Sequence, residues 1–489
     1  MNKFKIIPVV FLVGLCLFFQ SATGQRKLTL EDVVIIAIEQ SPAAKRAETR
    51  KENRYWMYRT FKSNYVPQLQ LSGTLPGFTR AFSRIQQNNG TFAYRFQNQN
   101  TAELELSLQQ TIAATGGRVF MSSSLERFDN FLDGEHSYRG DPVSVGFFQP
   151  LFGFNALKWD QKIEPLRYEE SKREYAEEFE QISERASQLF FDLLTAQISL
   201  GIAEINVASN DTIYKIAQGR YELGIIPENE LLQLELSLMN SRQSVAQSQL
   251  NLGTATLRLK SYLGFQENET IELIEPAQIP EFDVQESIAI EMAQQNRSDA
   301  IRFERLKLEA DMDVAEAIGT GGLNASLFGR AGLSNSGLLI PEVYEKPDNQ
   351  VIANLGFTIP ILDWGRQEAR RRTAEANQQL VQFTVQQDVI NFKEEVITQV
   401  RRFKMLRDQV AIASKADEIS QKRYSISKNR YLIGKTSITD LSLALTEKDR
   451  AKQDYLTSLG NFWQAYYQLR QLTLYDFSTG LILFNPDLE

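Results

Sequence analysis

The chain has 489 residues, and its 53 lysines and arginines against 61 aspartates and glutamates give a formal net charge of −8. An acidic chain is a poor ligand for nucleic acid, so we expect no nucleic-acid partner. One cysteine, Cys16, and one histidine, His136, are too few for a His/Cys metal site, and a Ser-His-Asp triad is nearly excluded. We therefore expect no enzyme activity, no cofactor and no metal.

The first 24 residues have the pattern of a secretory signal peptide. A basic start is followed by an apolar run at residues 6–19 and by small residues before Gln25. Cys16 follows Leu15, whereas lipid attachment needs a small residue there, so we predict ordinary cleavage and a mature chain without cysteine. After this leader we find no segment with the ~20 apolar residues of a transmembrane helix. If the protein crosses a membrane, it must do so with β-strands.

Short segments of alternating apolar and polar residues predict β-strands. Four lie in the first half of the chain and two in the second: Val66–Leu75, Ala102–Gln109, Val119–Leu125, Val143–Phe148, Asn324–Leu333 and Val351–Ile359. Such two-faced segments of about ten residues are typical of membrane barrels, although a half-buried strand of a soluble sheet has the same pattern. The polar stretches Gln86–Gln99 and Asp129–Asp141 are predicted to be loops, and His136 a loop residue. Glu103 and Glu105 fall on a polar face, where they would line a lumen or face solvent.

Two long runs with a 3.5-residue apolar period predict helices that pack lengthwise. The runs cover residues 175–207 and 385–413, each within a proline-free segment of ~60 residues, which corresponds to ~90 Å of helix. Each long helix ends near a repeated Tyr-x-x-Gly sequence, whose glycine can close a helix C-terminus. Return helices are predicted at Glu230–Leu263 and Asp440–Leu472. Each half therefore contains an antiparallel helical hairpin with a tight tip.

The two halves repeat each other. Gly146–Leu151 returns at an offset of 210 as Gly356–Ile361, and Arg220–Gly224 returns at the same offset as Arg430–Gly434. In the short helices that open the halves the offset is 256, so the strand region of the first half has about 46 additional residues. We divide the chain into a signal peptide (1–24), a first repeat (25–263), a linker (264–283), a second repeat (284–475) and a tail (476–489) without defined structure.

This duplicated order of short helix, strands, long helix, tip and return helix resembles that of the TolC-like outer-membrane efflux channels. The strand-to-helix joins Gly146–Gly153 and Gly356–Asp363 and the two tips carry the resemblance, which covers essentially the whole mature chain. It implies an α+β membrane protein, a homotrimer whose strands close one β-barrel in the outer membrane, continuous with a long periplasmic α-helical barrel. It also implies a periplasmic adaptor protein and an inner-membrane pump as partners. The chain would then be a passive exit duct for small molecules. Family members typically have two strands in each half, so four in the first half is a departure.

The resemblance also assigns functional positions to the tips. The adaptor-docking residues would be Arg220, Tyr221, Gly224, Arg430, Tyr431 and Gly434. In the family, a tyrosine, an arginine and two aspartates narrow the periplasmic aperture. Tyr431 and Asp440 match the tyrosine and the first aspartate, whereas Thr436 and Leu443 stand at the other two positions. A ring of Asp440 side chains is compatible with the ordinary role of an aspartate as a helix N-cap.

Three other functions remain open at this stage. A protein-secretion duct would have the same barrel and helices, and only its pump would distinguish it. A periplasmic coiled-coil scaffold without a pore is disfavoured by the paired strand sets. A secreted enzyme that acts through carboxylates, such as a glycosidase, would need two convergent acids in a cleft, and the heptads do not predict one.

Overall fold

The computed structural model describes residues 26–87, 90–266 and 270–484. The predicted signal peptide lies outside these residues. The chain forms two compact units. The first, here called the tip unit, draws its described residues from Met1–Ala44, Ile182–Pro280 and Leu406–Gln464, and the second, the sheet unit, from Lys45–Gln181, Glu281–Met405 and Ala465–Glu489.

The helices reproduce the predicted repeat residue by residue. The first copy contains α1 (Leu30–Gln40), α2 (Pro42–Ser63), α3 (Ala156–Glu222) and α4 (Glu228–Leu263), and the second contains α5 (Glu286–Asn296), α6 (Ser298–Gly319), the short α7 (Ile340–Glu345), α8 (Arg366–Leu432) and α9 (Ile438–Thr473). Apart from α7, partners in the two copies have equal lengths of 11, 22, 67 and 36 residues. The offsets of 256 and 210 therefore hold for whole helices.

Six strands form the main sheet, four from the first copy and two from the second, as predicted. They are β2 (Gln68–Gln86), β3 (Phe92–Ile112), β4 (Gly117–Asn130), β5 (Glu135–Leu151), β7 (Asn324–Gly337) and β8 (Asp348–Thr358). The predicted loops Gln86–Gln99 and Asp129–Asp141 are wrong, because most of their residues extend the strands. His136 is likewise in β5, opposite Asp129 of β4, and not in a loop. Polar composition misled the prediction because strand residues that face water need not be apolar.

The sheet is antiparallel throughout, in the order β2-β3-β4-β5-β7-β8, so β2 and β8 are its two edges. The helices α2 and α6 precede β2 and β7, and the helices α3 and α8 follow β5 and β8. These four helices therefore attach at one end of the sheet. The connections β2–β3, β4–β5 and β7–β8 lie at the opposite end, which we call the far end.

Two small sheets revise the predicted linker and tail. Arg26–Leu28 (β1) pairs in parallel with Ile271–Leu273 (β6), so the linker 264–283 contains a strand. Tyr475–Asp476 (β9) pairs with Leu481–Ile482 (β10), so the prediction that the tail is undefined is wrong. The carboxylate of Asp476 accepts a hydrogen bond from the Tyr466 hydroxyl (3.0 Å) and pairs with Arg470 (3.3 Å), which fixes the tail to α9.

The heptad positions are buried in both units. In the tip unit, Leu189 and Leu193 of α3 are 3% and 0% exposed, and in the sheet unit the α8 residues Val396 and Phe403 are 0% and 1% exposed. Gln399, which interrupts the second heptad, is also buried and donates a hydrogen bond to the carbonyl of Ala465 (3.1 Å). The interruption is therefore a satisfied polar residue within the seam.

One sequence-based statement about membrane spans needs correction. Among the described residues, α3 contains a window long and apolar enough to pass as a membrane span by length and composition. The prediction that no such segment follows the leader is therefore wrong. A single helix of this kind is weak evidence for a membrane span, because it is recognised by length and composition alone.

Candidate functional site: the sheet faces and the helix tips

Near the middle of the sheet, two adjacent rows of paired residues have opposite character in every strand. One row of directly paired residues crosses all six strands and is apolar throughout: Leu69, Leu108, Met121, Val145, Ala331 and Val351. The adjacent row, on the other face, contains only polar residues and glycine: Gln70, Ser107, Ser122, Ser144, Gly332 and Gln350. The apolar row is open at its ends, where Leu69 is 68% and Val351 76% exposed. A sheet with one apolar and one polar face needs an apolar environment on the first.

Glu103 and Glu105 lie on the polar face, as predicted. Glu103 stands directly opposite Glu126 of β4, and Glu105 opposite Ser124. The face is not purely acidic, because Arg139 stands opposite Glu126, and Arg330 of β7 forms an ion pair with Asp141 (2.5 Å). A lumen lined by this face would have mixed charge and would include aromatic side chains, because Phe120, Phe148 and Phe328 lie on the same face. The lumen-lining role of the two acids stays a prediction.

The two tips have the same backbone geometry. Gly224 and Gly434 adopt positive φ angles of 71° and 73°, in the left-handed region that glycine tolerates best. The amide of each glycine donates to the carbonyl three residues earlier, Tyr221 or Tyr431, at 2.8 and 2.9 Å. The next amide donates to the carbonyl of Arg220 or Arg430 at 2.9 and 2.8 Å. These paired bonds terminate both long helices in the same way.

The side chains at the two tips, in contrast, have different surroundings. Tyr431 is 2% exposed, whereas its repeat partner Tyr221 is 40% exposed. Tyr431 belongs to a buried cluster that joins both hairpins and is composed of Ile213, Ala217, Leu234, Tyr431, Ile438 and Leu441. Its hydroxyl donates to Glu230 Oε1 (3.2 Å) in the first hairpin. Burial, with Glu230 nearby, raises the pKa of Tyr431 to about 12.

Arg220 connects the first tip to the end of α8. Its guanidinium donates to the carbonyl oxygens of Tyr431 (3.4 Å) and Leu432 (2.5 Å) and lies 5.9 Å from the centre of the Tyr431 ring. The last carbonyls of a helix carry partial negative charge, which a cation stabilises. Arg220, Glu230 and Tyr431 therefore form one link between the two tips, called here the tip link.

Asp440 has a different role, at the start of α9. It is an exposed residue whose carboxylate accepts from the hydroxyls of Ser437 (2.9 Å) and Thr436 (3.1 Å), while its amide donates to Ser437 Oγ (3.2 Å). The N-cap is therefore Ser437, and Asp440 is its capping-box partner rather than the cap itself. The Ser437 and Thr436 hydrogen bonds, more than the nearby Arg430, lower the pKa of Asp440.

The structure does not join Tyr431 and Asp440, the two predicted aperture residues. Tyr431 bonds to Glu230, which stands 210 residues before Asp440 and is its repeat partner. Glu230 is not among the functional residues predicted from the sequence, and Arg220 was predicted to dock the adaptor and not to make this contact. The repeat itself could have identified Glu230, because at the offset of 210 it occupies the same position as Asp440, which was predicted to be an aperture residue.

The chain matches the family described as outer membrane efflux protein over residues 36–265 and 289–473. No individually curated protein matches the sequence. Among solved structures, it is similar to the CmeC outer membrane channel of Campylobacter jejuni, with a TM-score of 0.67 and 17% identity over 94% of this chain and 87% of that one. It is also similar to the outer membrane protein VceC of Vibrio cholerae, with a TM-score of 0.62 and 12% identity over 91% of this chain and 95% of that one. A third similar structure is the open state of the MtrE outer membrane channel of Neisseria gonorrhoeae, with a TM-score of 0.61 and 15% identity over 91% of this chain and 88% of that one. At these identities the structures establish the fold.

Because the family match covers most of its length, the chain belongs to the outer membrane efflux protein family. The resemblance to TolC-like channels is thereby confirmed, as is an α+β channel fold built from two repeats. The protein is accordingly an outer-membrane efflux duct, whose class is that of a transporter rather than an enzyme.

Proposed function

We propose that the protein is the exit duct of a tripartite efflux assembly. It receives small molecules from an inner-membrane pump through a periplasmic adaptor protein and conducts them passively to the exterior. The observation that carries this proposal is the pair of adjacent residue rows, one apolar and one polar, that cross all six strands of the sheet. The apolar face suits lipid and the polar face suits a water-filled lumen.

Closure of the sheet requires further copies of the chain. The strands β2 and β8 are open edges, and backbone groups of an edge strand have no hydrogen-bonding partner in lipid. In a homotrimer, β2 of each protomer pairs with β8 of the next. Three six-stranded sheets then form a barrel of eighteen strands. Barrels with about 16–18 strands leave an aqueous channel.

The helical tips are the proposed periplasmic aperture and the docking site of the adaptor. The docking surface is composed of the two turns and the helix ends beside them, with Arg220, Tyr221, Gly224, Arg430, Tyr431 and Gly434. Asp440 is exposed beside the second turn and forms an acidic ring at the aperture of the trimer. Opening is an untwisting of the second hairpin after Gly434, and it requires the tip link to break. Adaptor contact supplies the bias toward the open state, and the pump supplies the energy.

Cross-linking of the second tip tests this gate. The sequence has a single cysteine, in the predicted signal peptide, so an introduced cysteine is chemically unique in the mature chain. Lys435→Cys is placed in the second turn, and Ile225→Cys, its repeat partner, is the matched control in the first turn. A cleavable bis-maleimide joins the copies. Dye export from a deletion strain that expresses Lys435→Cys should fall on cross-linking and recover on cleavage, with a smaller effect for Ile225→Cys. Unchanged export after complete cross-linking at Lys435→Cys would refute the gate.

A further inference from the structure

The β2–β3 hairpin extends past the rest of the sheet at the far end. β3 pairs with β2 over Phe92–Gln109, but with β4 only over Gln99–Ile112. Residues Phe92–Asn98 therefore continue beyond Asn130, the last residue of β4, by roughly 20 Å. We call the paired segments Gly77–Gln86 and Phe92–Thr101 the ribbon.

The charge of the ribbon is opposite to that of the chain as a whole. Between Gly77 and Thr101 the sequence contains three arginines, Arg80, Arg84 and Arg95, and no lysine, aspartate or glutamate. The hairpin therefore carries +3 in a chain whose formal net charge is −8.

Aromatic residues and two of these arginines share one face of the ribbon. Residues directly opposite each other in paired strands lie on the same face. The pairs on this face are Phe78 with Asn100, Arg80 with Asn98, Phe82 with Phe96, Arg84 with Tyr94 and Gln86 with Phe92. Phe82 and Tyr94 are 73% and 74% exposed. Arg95 lies on the opposite face, where it donates to Gln87 Oε1 (3.1 Å).

The ribbon face continues the apolar face of the sheet. In β3 successive side chains point to opposite faces without interruption from Phe92 to Ile112. Tyr94 and Phe96 are therefore on the same face as Leu104 and Leu108. In β2 the register shifts between Thr74 and Gly77, which keeps the aromatic residues on that side as well.

The two arginines on this face are positioned over rings rather than against acids. The Arg84 guanidinium lies 4.0 Å from the centre of the Phe92 ring, and that of Arg80 lies 5.7 Å from the Phe96 ring. Neither has an ion pair with a carboxylate of the described residues. Asp129, which is opposite Asn100 on this face, is paired with Arg127 (2.8 Å). Both guanidinium groups therefore keep their forked donors available for an external anion.

We propose that the ribbon face binds the phosphate-bearing headgroup of a glycolipid in the outer leaflet of the outer membrane. The inference rests on the proposed function, which places the apolar face of the sheet in lipid and the helices in the periplasm. The far end, opposite the end at which the helices attach, then lies at the exterior. Exposed aromatic rings favour the boundary between lipid and water, and arginine binds phosphate through two parallel hydrogen bonds. Continuity with the apolar face favours a lipid over a soluble protein, and the exposed rings favour a lipid over free phosphate.

Native mass spectrometry of the full mature chain with diphosphoryl lipid A tests the proposal. Arg80→Gln combined with Arg84→Gln should weaken binding about tenfold, because two charge-assisted contacts are lost. Arg95→Gln, which removes the same charge from the opposite face, should leave the Kd unchanged. Dephosphorylated lipid A should bind the wild-type chain as weakly as diphosphoryl lipid A binds the double variant.

Equal Kd values for the wild type and the double variant would overturn the proposal, and so would an equal loss in Arg95→Gln. If the double variant instead changes only the oligomeric state, the face is a contact between copies and the lipid proposal is wrong. If the double variant does not fold, Arg84→Lys takes its place. Lysine keeps the positive charge but lacks the two parallel N–H donors of the guanidinium, so its Kd should lie between those of the wild type and of dephosphorylated lipid A with the wild type. Single-channel conductance of the wild type and of the Arg80 and Arg84 variants tests the duct separately, because these two arginines lie on the continuation of the apolar face and their substitution leaves the polar face intact.

Discussion

At the scale of single residues, the two repeats have the same backbone but use their side chains differently. Tyr221 is half-exposed while Tyr431 is buried, and Glu230 contacts the other hairpin while Asp440 supports its own helix start. The sequence predicted the helix-ending glycines correctly, because a left-handed residue leaves a local signature. It could not predict the tip link, since that contact depends on which helix faces pack together across more than 200 positions of sequence.

Substitution of the two repeat-related tyrosines tests the tip link. Tyr431→Phe removes the hydroxyl that donates to Glu230 and should lower the free energy of unfolding by about 1 kcal/mol. It should also raise the fraction of time that the channel is open. Tyr221→Phe is the control, and it should change neither quantity because that ring is half-exposed. Thermal unfolding and single-channel recording measure the two effects. Equal effects of the two substitutions would contradict the link.

The stability contributed by Asp440 should depend on pH. Its pKa is lowered in the folded chain by the Ser437 and Thr436 hydroxyls. A lowered pKa means that the stabilisation is complete above the unfolded pKa of about 4 and is lost as the pH falls through the folded value. The difference in Tm between wild type and Asp440→Asn should therefore be present at neutral pH and disappear in strong acid. A difference that grows as the pH falls would contradict the assigned hydrogen bonds.

At the scale of elements, helices and strands differed in how well the sequence defined them. A heptad over many turns defines a helix and its buried side, as in α3 and α8. The bounds of the return helices α4 and α9 are also within two residues of those predicted. The strands β2, β3 and β5 are longer than predicted, because their far-end residues are mostly polar or aromatic and lack the alternation used to find them. The β9–β10 pair was missed because strands of two residues leave no periodic pattern.

The charge cluster at the end of α9 should be important for stability of the sheet unit. Arg470 donates to Glu180 Oε1 (2.9 Å) and lies near Asp476, and all three side chains are largely buried. Burial raises the pKa of Glu180, and Arg470 opposes that rise. Arg470→Ala leaves two buried carboxylates without a cation and should cost roughly 3 kcal/mol. Arg450→Ala, on an exposed part of the same helix, should cost almost nothing. Denaturant unfolding measures both, and similar losses would contradict the assignment.

At the scale of the whole molecule, the duplicated architecture was predicted from patterns within the chain, whereas closure of the sheet in a trimer was implied by the family resemblance alone. The repeat offsets could be predicted because the same motifs occur twice in the chain. The six strands could be predicted because each has a local alternation of apolar and polar residues. In the proposed trimer, closure depends on edges that pair with other copies, which no pattern within one chain specifies.

Cysteine cross-linking tests the proposed trimer. Leu71→Cys on β2, combined in turn with Val351→Cys or Leu355→Cys on β8, should give covalent trimers in membranes, because these strands become neighbours between protomers. Met121→Cys on β4 with the same β8 partners is the control and should give no product between chains. Denaturing electrophoresis distinguishes the species. Trimers from the control pairs, or none from the β2 pairs, would contradict edge-to-edge closure.

Single-channel conductance of the purified mature protein in a planar bilayer is the measurement that decides whether the chain forms a gated duct. We predict a small, cation-selective conductance in the wild type that rises in Arg220→Gln, because the tip link is lost, and becomes less cation-selective in Asp440→Ala. The absence of conductance from inserted, trimeric protein, in the wild type and in Arg220→Gln alike, would contradict it.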